Sequence, residues 1–481
     1  MALDQQRNWT IAMADNLERV KRSARSGGTP QDSDEAVDIM DNHTPAQREH
    51  TGPPVYLPDE IIIQILEYTT RLPTSQRTLA SCCLLAHQWY DAAVPLLYAQ
   101  PYLYGKNFDP FVRTMCPSIN LHVRKSPLSE LVKVLNMASL VHQGRPSMTA
   151  RLLGRTKGSL EEFVAPQASF LVNCLAGLSK CVKLRTLDLS LVSEAPPLPE
   201  LFRAVAHLQH LRTFRLPRSG GFGAHHKPTA FTWSPHLENL SLSGGIDGHF
   251  LHGVVTFPQT LRSLTIEHCP QAKGYAITHL LKTAVRPLRN LESLKIRFMP
   301  RLGSHALDDI LLLLPQIQRL SLSVDYITPA LFDEGHFNHA HTKYALPSMD
   351  ADADDPDQLA AVEPLQHNNL RTLELTNSGD PGVEDKISAI DILIAIDEGS
   401  LPKLRQVRVA KTLLWQASGT ASDAEALADV LIEASKRDWE DGVGVFAGGM
   451  QGTGVGKRAT RGEQEQGKVW ERVAGVWMFD G

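Results

Sequence analysis

The sequence predicts an α/β fold, a compact N-terminal helical unit followed by a repeat solenoid whose curved parallel sheet carries helices on its outer face. Two observations predict it. The phrase L-x-x-L-x-L returns through the middle and back half of the chain at a nearly constant spacing, and the segments between the phrases, like residues 59–97 ahead of them, carry the apolar spacing of helices. The eight clear phrases begin at Leu184, Leu211, Leu237, Leu261, Leu291, Ile317, Leu370 and Leu404, at intervals of 27, 26, 24, 30, 26, 53 and 34 residues. The interval of 53 is about twice the commonest one, so it holds either a degenerate unit or an insertion.

Composition sets the outer bounds. The chain has 481 residues, 42% of them apolar and 21% charged, and a net charge of -5, which gives no global footprint for nucleic acid or an acidic membrane surface. Residues 1–28 contain no apolar stretch of the signal-peptide kind, and the apolar run from Ile310 to Leu314 is stopped by Pro315, which argues against secretion and membrane spanning. The six cysteines have no C-x-x-C spacing and fit a reducing compartment, the cytoplasm or the nucleus, as small core residues.

Residues 1–52 are polar, without a sustained apolar period, and read as a disordered arm whose Lys21-Arg22-x-x-Arg25 cluster is either a solvated tail or a weak nuclear signal. A helical domain is expected over 53–102. Its first helix opens at Leu57-Pro58-Asp59-Glu60, with proline at the first helical position and two acids at the positive end of the helix, and Ile61, Ile62, Ile65 and Leu66 supply its apolar face. Pro73 ends it, Thr74 to Arg77 form a polar turn, and two more helices follow, one over Leu79 to Ala86 and one holding Trp89, Tyr90, Val94, Leu96 and Leu97. So small a unit is near the lower size limit for folding alone.

These residues carry a resemblance. Leu57-Pro58-x-Glu60-Ile61, Ile65-Leu66, Cys82-Cys83-Leu84 and Trp89 resemble the F-box, and Ala93-Val94-Pro95-Leu96-Leu97-Tyr98 is similar to its usual fungal ending. The resemblance implies docking to a Skp-type adaptor and through it to a cullin, with Leu57, Pro58, Ile61, Ile62, Ile65, Leu66, Leu84 and Trp89 holding or supporting the adaptor interface. Gln88 and Tyr90 depart from the basic residues that many family members have beside the tryptophan. Without adaptor docking, the same helices would be a cap on the first repeat of a plain interaction scaffold.

The solenoid is expected over 103–438. Two weaker phrases, starting at Val132 and Leu160, extend its register backward, and the period near 26 residues resembles leucine-rich repeats of the kind joined to F-boxes, with Thr265-Ile266-Glu267-His268-Cys269 similar to their cysteine-containing form. Each phrase lays down one short parallel strand with its leucines inward, and Pro199–Val205, Gly274–Val285 and Ser304–Leu314 read as return helices. The pattern breaks between Thr328 and Pro364, where acidic residues near 345–364 read as an exposed inserted loop. Residues 439–481 read as a flexible Gly-rich tail whose Trp470, Trp477 and Phe479 either dock over the open end of the solenoid or bind a partner.

No catalytic set, metal site or cofactor site is expected. Asp350, Asp352 and Asp354 match the first EF-hand spacings, but Asp355 replaces the turn glycine and Ala361 the last ligand. Gly452-Thr-Gly454-Val-Gly456-Lys457-Arg458 lacks the opening glycine and the hydroxyl of a phosphate loop. His336, His339 and His341, near Asp333 and Glu334, have ligand chemistry but no rigid element to fix it. What remains is the concave face, where Asp188, Arg215, Ser241, Thr265, Lys295, Ser321, Glu374 and Arg408 point outward between inward leucines. Asp188, Arg215, Lys295, Arg297, Glu374 and Arg408 are the candidate substrate contacts, and Lys295, Arg297 and Arg301 form a basic patch suited to an acidic or phosphorylated protein segment.

Overall fold

Ten of the apolar phrases become strands, and an eleventh strand follows them. The computed structural model describes residues 57–72, 75–118, 126–140, 145–221, 233–252, 256–332, 368–377, 386–417, 419–440 and 474–480. The strands are β1 (Val134–Asn136), β2 (Glu162–Val164), β3 (Thr186–Asp188), β4 (Thr213–Arg215), β5 (Asn239–Leu242), β6 (Ser263–Glu267), β7 (Ser293–Arg297), β8 (Arg319–Ser323), β9 (Thr372–Thr376), β10 (Gln406–Ala410) and β11 (Gly475–Phe479). They form one sheet in chain order, and every neighbouring pair is parallel. That order agrees with a repeat solenoid, because each strand hydrogen-bonds to the next in sequence and the chain must return on one side between them.

The register follows from the phrase. Its three apolar positions are exposed by 2% or less in every strand from β1 to β10. The residue after the first apolar position donates its backbone N–H to the matching carbonyl one repeat earlier, as in Arg185 to Glu161 at 2.7 Å, Arg212 to Arg185 at 2.8 Å and Glu238 to Arg212 at 2.8 Å. Because β9 pairs directly with β8, Arg319 opposite Thr372, the interval of 53 residues contains no strand of the sheet between them and is an insertion. The acidic run near 345–364 lies outside the described residues, as do residues 1–56, Pro73, the histidines at 336, 339 and 341, and Gly452 to Arg458.

The N-terminal helices are α1 (Asp59–Thr69), α2 (Ser75–Cys82) and α3 (His87–Ala99), each packed on the other two, followed by α4 (Gly105–Met115). Pro58 is the residue before α1 rather than its first, and its carbonyl accepts from Ile61 and Ile62 at 3.1 and 3.2 Å. Ser75, Gln76 and Arg77, expected in a turn, open α2, which ends at Cys82 instead of Ala86. Gln76 explains this start: its amide donates to the Gln100 carbonyl at 3.0 Å and anchors that turn to the end of α3.

The return segments differ more than their spacing suggests. Helices α5 (Pro146–Thr156), α6 (Val172–Leu178), α7 (Leu198–Val205), α8 (Gly248–His252) and α9 (Gly274–Leu280) alternate with strands, and a π-helical turn at Leu281–Val285 prolongs α9. The helix expected over Ser304–Leu314 is reduced to α10 (Ile310–Leu313). Ahead of it the backbone closes tight turns, Ala306 to Gly303 and Ile310 to Leu307, both at 3.1 Å, while the Asp308 carboxylate is taken up by the backbone N–H and hydroxyl of Thr328 at 2.7 and 2.9 Å. After β9 come α11 (Ala389–Asp397) and the long α12 (Ala421–Glu440), which packs on β11.

The sequence reading ends the solenoid at 438 and leaves Gly475–Phe479 in the tail. In the structure those residues are the last strand, with Val476 beside Val407 and Met478 beside Val409. The segment matches the phrase without a leucine, as Val473-x-x-Val476-x-Met478, and stands 69 residues after the phrase at Leu404, so the search by leucine and spacing passes over it. Gly475 starts the strand at φ +116, a conformation that L side chains rarely adopt.

Of the cysteines expected as core residues, Cys116, Cys174, Cys181 and Cys269 are buried, whereas Cys82 and Cys83 are half-exposed. Burial pushes the Cys174 thiol up to about 11 and those of Cys181 and Cys269 up to about 12. Among the described residues no helix is long and apolar enough to cross a membrane, and no group of three or more His, Cys, Asp or Glu could hold a metal ion.

Candidate functional site

Two surfaces stand out. On α1 the helical period splits the apolar residues: Ile62 and Leu66 face α2 and α3 and are fully buried, while Ile61, Ile65 and Tyr68 form a stripe on the adjacent face, 42, 41 and 60% exposed. Leu84 and Leu85, in the turn between α2 and α3, are 62 and 66% exposed. Of the residues expected at an adaptor interface, Pro58, Ile61, Ile65 and Leu84 are therefore exposed, Leu57 and Trp89 are half-buried, and Ile62 and Leu66 belong to the core of the helical unit, where they have no surface to offer a partner. Gln88 has a local role, since its amide donates to the Asp59 carboxylate at 2.6 Å and ties the start of α3 to the start of α1.

The second surface is the outward side of the sheet. Strand register sets Asp188, Arg215, Ser241, Thr265, Lys295, Ser321, Glu374, Arg408 and Trp477 side by side along successive strands, one per strand from β3 to β11. The row divides into two charge groups. Arg215 pairs with Asp188 at 2.9 Å, and Asp188 also accepts from the Ser190 backbone and hydroxyl at 2.9 and 2.6 Å. Glu374 is the hub of the other group: Arg408 reaches it at 3.0 Å, Arg297 at 3.6 Å, Lys295 at 3.9 Å, and the Ser321 hydroxyl donates to it at 3.0 Å.

Small side chains in that row open a recess of about 620 Å³. Ser241 and Thr265 line it on one side and Lys295, Arg297, Glu374 and Arg408 on the other. All the candidate substrate contacts except Asp188 line this space. Arg301, grouped with Lys295 and Arg297 on sequence grounds, is exposed outside it, and Arg408 from a distant repeat takes its place beside them.

The phrase pattern also missed part of the wall. His268 and Phe298 follow β6 and β7 at equivalent positions, stack with ring centroids 4.5 Å apart, and have φ of 53 and 51. Gly244 holds the same place after β5, at φ +79, where a Cβ would come within 2.7 Å of the Pro217 carbonyl. Left-handed backbone at non-glycine residues concentrates at binding sites, so the repetition of this conformation beside the recess is a signal that leucine spacing cannot give. Phe479, beneath the Arg408 guanidinium at 5.3 Å, and Asp480 complete the lining from β11 and its end.

Burial, followed by the cation Arg218, lowers the His268 pKa, Glu267 opposing them, so the imidazole is held neutral. Burial likewise pulls the Arg297 guanidinium down, against the stabilising charges of Glu374 and Glu267. An arginine keeps its proton at neutral pH, so the burial appears as a demand for acceptors. The Arg297 Nε is enclosed without a hydrogen-bond partner among the described residues, and so is the Trp477 Nε1.

Fold and surface together define an α/β repeat protein that presents fixed polar side chains across adjacent strands. The chain is 32% identical over 360 residues to F-box protein YDR306C of Saccharomyces cerevisiae, an alignment covering 74% of this chain and 66% of that one. It is 29% identical over 329 residues to protein pof5 of Schizosaccharomyces pombe, covering 68% and 82%. The chain is thus similar over most of its length to a named F-box protein, and it spans just under two thirds of that relative's length. No protein-family model matches it. Among solved structures, the crystal structure of the Rad7 and Elc1 complex in yeast is similar at 14% identity and a TM-score of 0.36, over 84% of this chain and 92% of that one.

Proposed function

We propose that the chain is the substrate-recognition subunit of a Skp-cullin-F-box-type ubiquitin ligase, acting in the cytoplasm or nucleus. In this reading the N-terminal helices dock a Skp-type adaptor and through it a cullin, and the leucine-rich-repeat solenoid holds a protein target on its concave strand face. The chain contributes no catalytic group of its own. Its part is to keep a target lysine close to a ubiquitin-conjugating enzyme, where raised effective concentration replaces chemistry.

The observation that carries the reading is the exposed stripe of Ile61, Ile65 and Tyr68, with Leu84 and Leu85 also exposed on the same helical unit, on a chain whose relatives include a named F-box protein. Exposed apolar groups concentrated on so small a unit mark an interface. The test is co-purification of the Skp-type adaptor with the full chain and with an Ile61→Asp, Ile65→Asp variant. Both residues are exposed, so the variant keeps its fold, and adaptor retained by the parent and lost by the variant supports the receptor. A well-folded parent that retains no adaptor makes the helices a cap on an interaction scaffold.

A further inference from the structure

We propose that the open edge of β11 pairs with the same edge of a second copy of this chain, antiparallel about Trp477, and so joins two sheets into one. The pairing is independent of the receptor reading, because no residue of the helical unit takes part in it.

Backbone groups make the first argument. In a parallel sheet, alternate residues of a strand bond to the neighbours on its two sides. Gly475 donates its N–H to the Arg405 carbonyl at 3.0 Å, so Gly475, Trp477 and Phe479 bond toward β10, while Val476 and Met478 turn their N–H and C=O to the other side. In earlier strands the residue at the position of Met478 donates forward to the next strand: Met137 to Val164 at 3.0 Å, Ala165 to Asp188 at 2.9 Å, Leu189 to Arg215 at 3.0 Å and Leu216 to Ser241 at 3.0 Å. Among the described residues no strand follows β11, and no acceptor meets the Met478 N–H.

The two ends of the sheet differ in protection. Strand β1 has three residues, and the Lys133 N–H just ahead of it is taken by the Ala99 carbonyl at the end of α3, at 2.9 Å. Strand β11 has five residues with neither a charge nor a proline among them, and Val476, Trp477, Met478 and Phe479 are all half-exposed. An edge that is apolar, uncharged and unpaired is a template for another strand.

The symmetry of Gly475–Phe479 about Trp477 makes a second copy the fitting strand. A two-fold antiparallel pairing sets Val476 opposite the partner's Met478 and Met478 opposite the partner's Val476, and these are the residues whose backbone groups point outward, so each such pair exchanges hydrogen bonds. Trp477 then meets the partner's Trp477 at the close, non-hydrogen-bonded position on the outward face, where cross-strand aromatic pairs are favourable. Phe479 lies across the partner's Gly475, which has no side chain to oppose it. Asp480 falls opposite the partner's Ala474, so no like charges meet. On the inward face the partner's Val476 comes beside Met478, which lines a pocket of about 240 Å³ with Leu414 and Trp415, and Leu414 is 69% exposed.

The test is sedimentation velocity of the full chain over a series of concentrations up to about 100 µM. The parent is expected to pass from monomer to dimer with a Kd of about 10 µM, as suits a small interface. Trp477→Glu sets a carboxylate beside Arg408 in register, which keeps the strand in place, and sets two carboxylates against each other across the two-fold axis. Met478→Pro removes the outward N–H without touching a bond to β10. Each substitution is expected to weaken the dimer about tenfold or more. With oxidised glutathione, Trp477→Cys is expected to give a disulfide-linked dimer, because residues at the non-hydrogen-bonded position lie about 4.5 Å apart between Cα atoms. Val476→Cys, which faces the partner's Met478, is expected to cross-link no more than the parent. A parent that stays monomeric throughout overturns the proposal, as does a dimer that Trp477→Glu leaves unchanged, or cross-linking of Val476→Cys equal to that of Trp477→Cys. If Met478→Pro loses its circular dichroism signal, Trp477→Glu and the cysteine pair decide without it.

Discussion

In the helical unit, Ile61, Ile65 and Tyr68 stand open to solvent, while in the sheet every apolar position of ten successive phrases is closed off. The two regions solve the same burial problem differently. Each phrase passes its leucines to the repeat before and the repeat after, so the array completes its own core as it grows. Among the described residues the helical unit buries Ile62, Leu66, Leu79, Ala93 and Val94 between its three helices, and the apolar groups left over are available to something else. The array's ten phrases have no apolar position left for a partner to cover, and the helical unit has apolar groups left over.

The sharpest way to break this comparison is to cut the same kind of side chain from each region. Leu294→Ala, in β7 with paired strands on both sides, removes a fully buried side chain and is expected to cost about 2–5 kcal/mol in urea unfolding. Ile65→Ala, on the exposed stripe, is expected to stay within about 0.5 kcal/mol. Equal losses would mean that the stripe is packed and the distinction wrong. Ile62→Ala lies between the two, because the helical core is small, and is expected to melt α1 to α3 ahead of the sheet, seen as a separate early transition in circular dichroism.

How much of this was legible follows from what the phrase can encode. Strand positions and the outward row, from Asp188 to Arg408, could be read residue by residue, because alternation in a strand leaves no freedom once the leucines are placed. The recess could not be read in full. Its hub brings Glu374 in β9 to Lys295 and Arg297 two strands away, and the distance between them depends on β9 pairing directly with β8 across the insertion. Its aromatic wall depends on left-handed backbone at His268 and Phe298, for which phenylalanine is no cue and histidine only a weak one. Strand β11 was hidden because its phrase, Val473-x-x-Val476-x-Met478, has no leucine and lies far outside the repeat spacing, beyond a Gly-rich stretch. In the helical unit the apolar face of α1 was legible but its division was not: Ile61 and Ile62 are adjacent in sequence and opposite in burial, since neighbouring helical residues point about 100° apart.

The comparison is sharpened by pH, because among the described residues the deeply buried thiols lie outside the three-helix unit, in the segments that pack with the sheet. Cys174, Cys181 and Cys269 have folded-state pKa values raised from 9.0 to about 11, 12 and 12. The folded state therefore keeps protons that the unfolded chain loses, so their contribution to stability is full below pH 9 and is lost as pH rises from there through 11 and 12. Urea midpoints are expected to fall across that window, with Cys269→Ala shallower than the parent. At pH 8 an alkylating reagent is expected to label Cys82 and Cys83 well before the four buried thiols, since the thiolate is the reactive form and access limits the rest.

The smallest effect separates two kinds of charge within the sheet. At the start of the strands Arg212 faces Glu238 at 3.4 Å and Arg185 faces Glu161 at 4.0 Å, with the arginines 57 and 60% exposed. Around Glu374 the carboxylate and Arg297 are each 14% exposed. The exposed pairs lose most of their attraction to water and salt, so Arg212→Ala is expected to change stability by about 0–0.5 kcal/mol and to show little salt dependence beyond the parent's. Arg297→Ala leaves Glu374 with fewer partners in a shielded place, and its loss is expected to be larger and to persist in high salt. If the two substitutions cost the same at high and low salt, the recess is no less solvated than the strand edge, and Glu374 is one more surface carboxylate. If the costs separate, the charges in the recess are held out of water by the same sheet that buries its leucines on the opposite side.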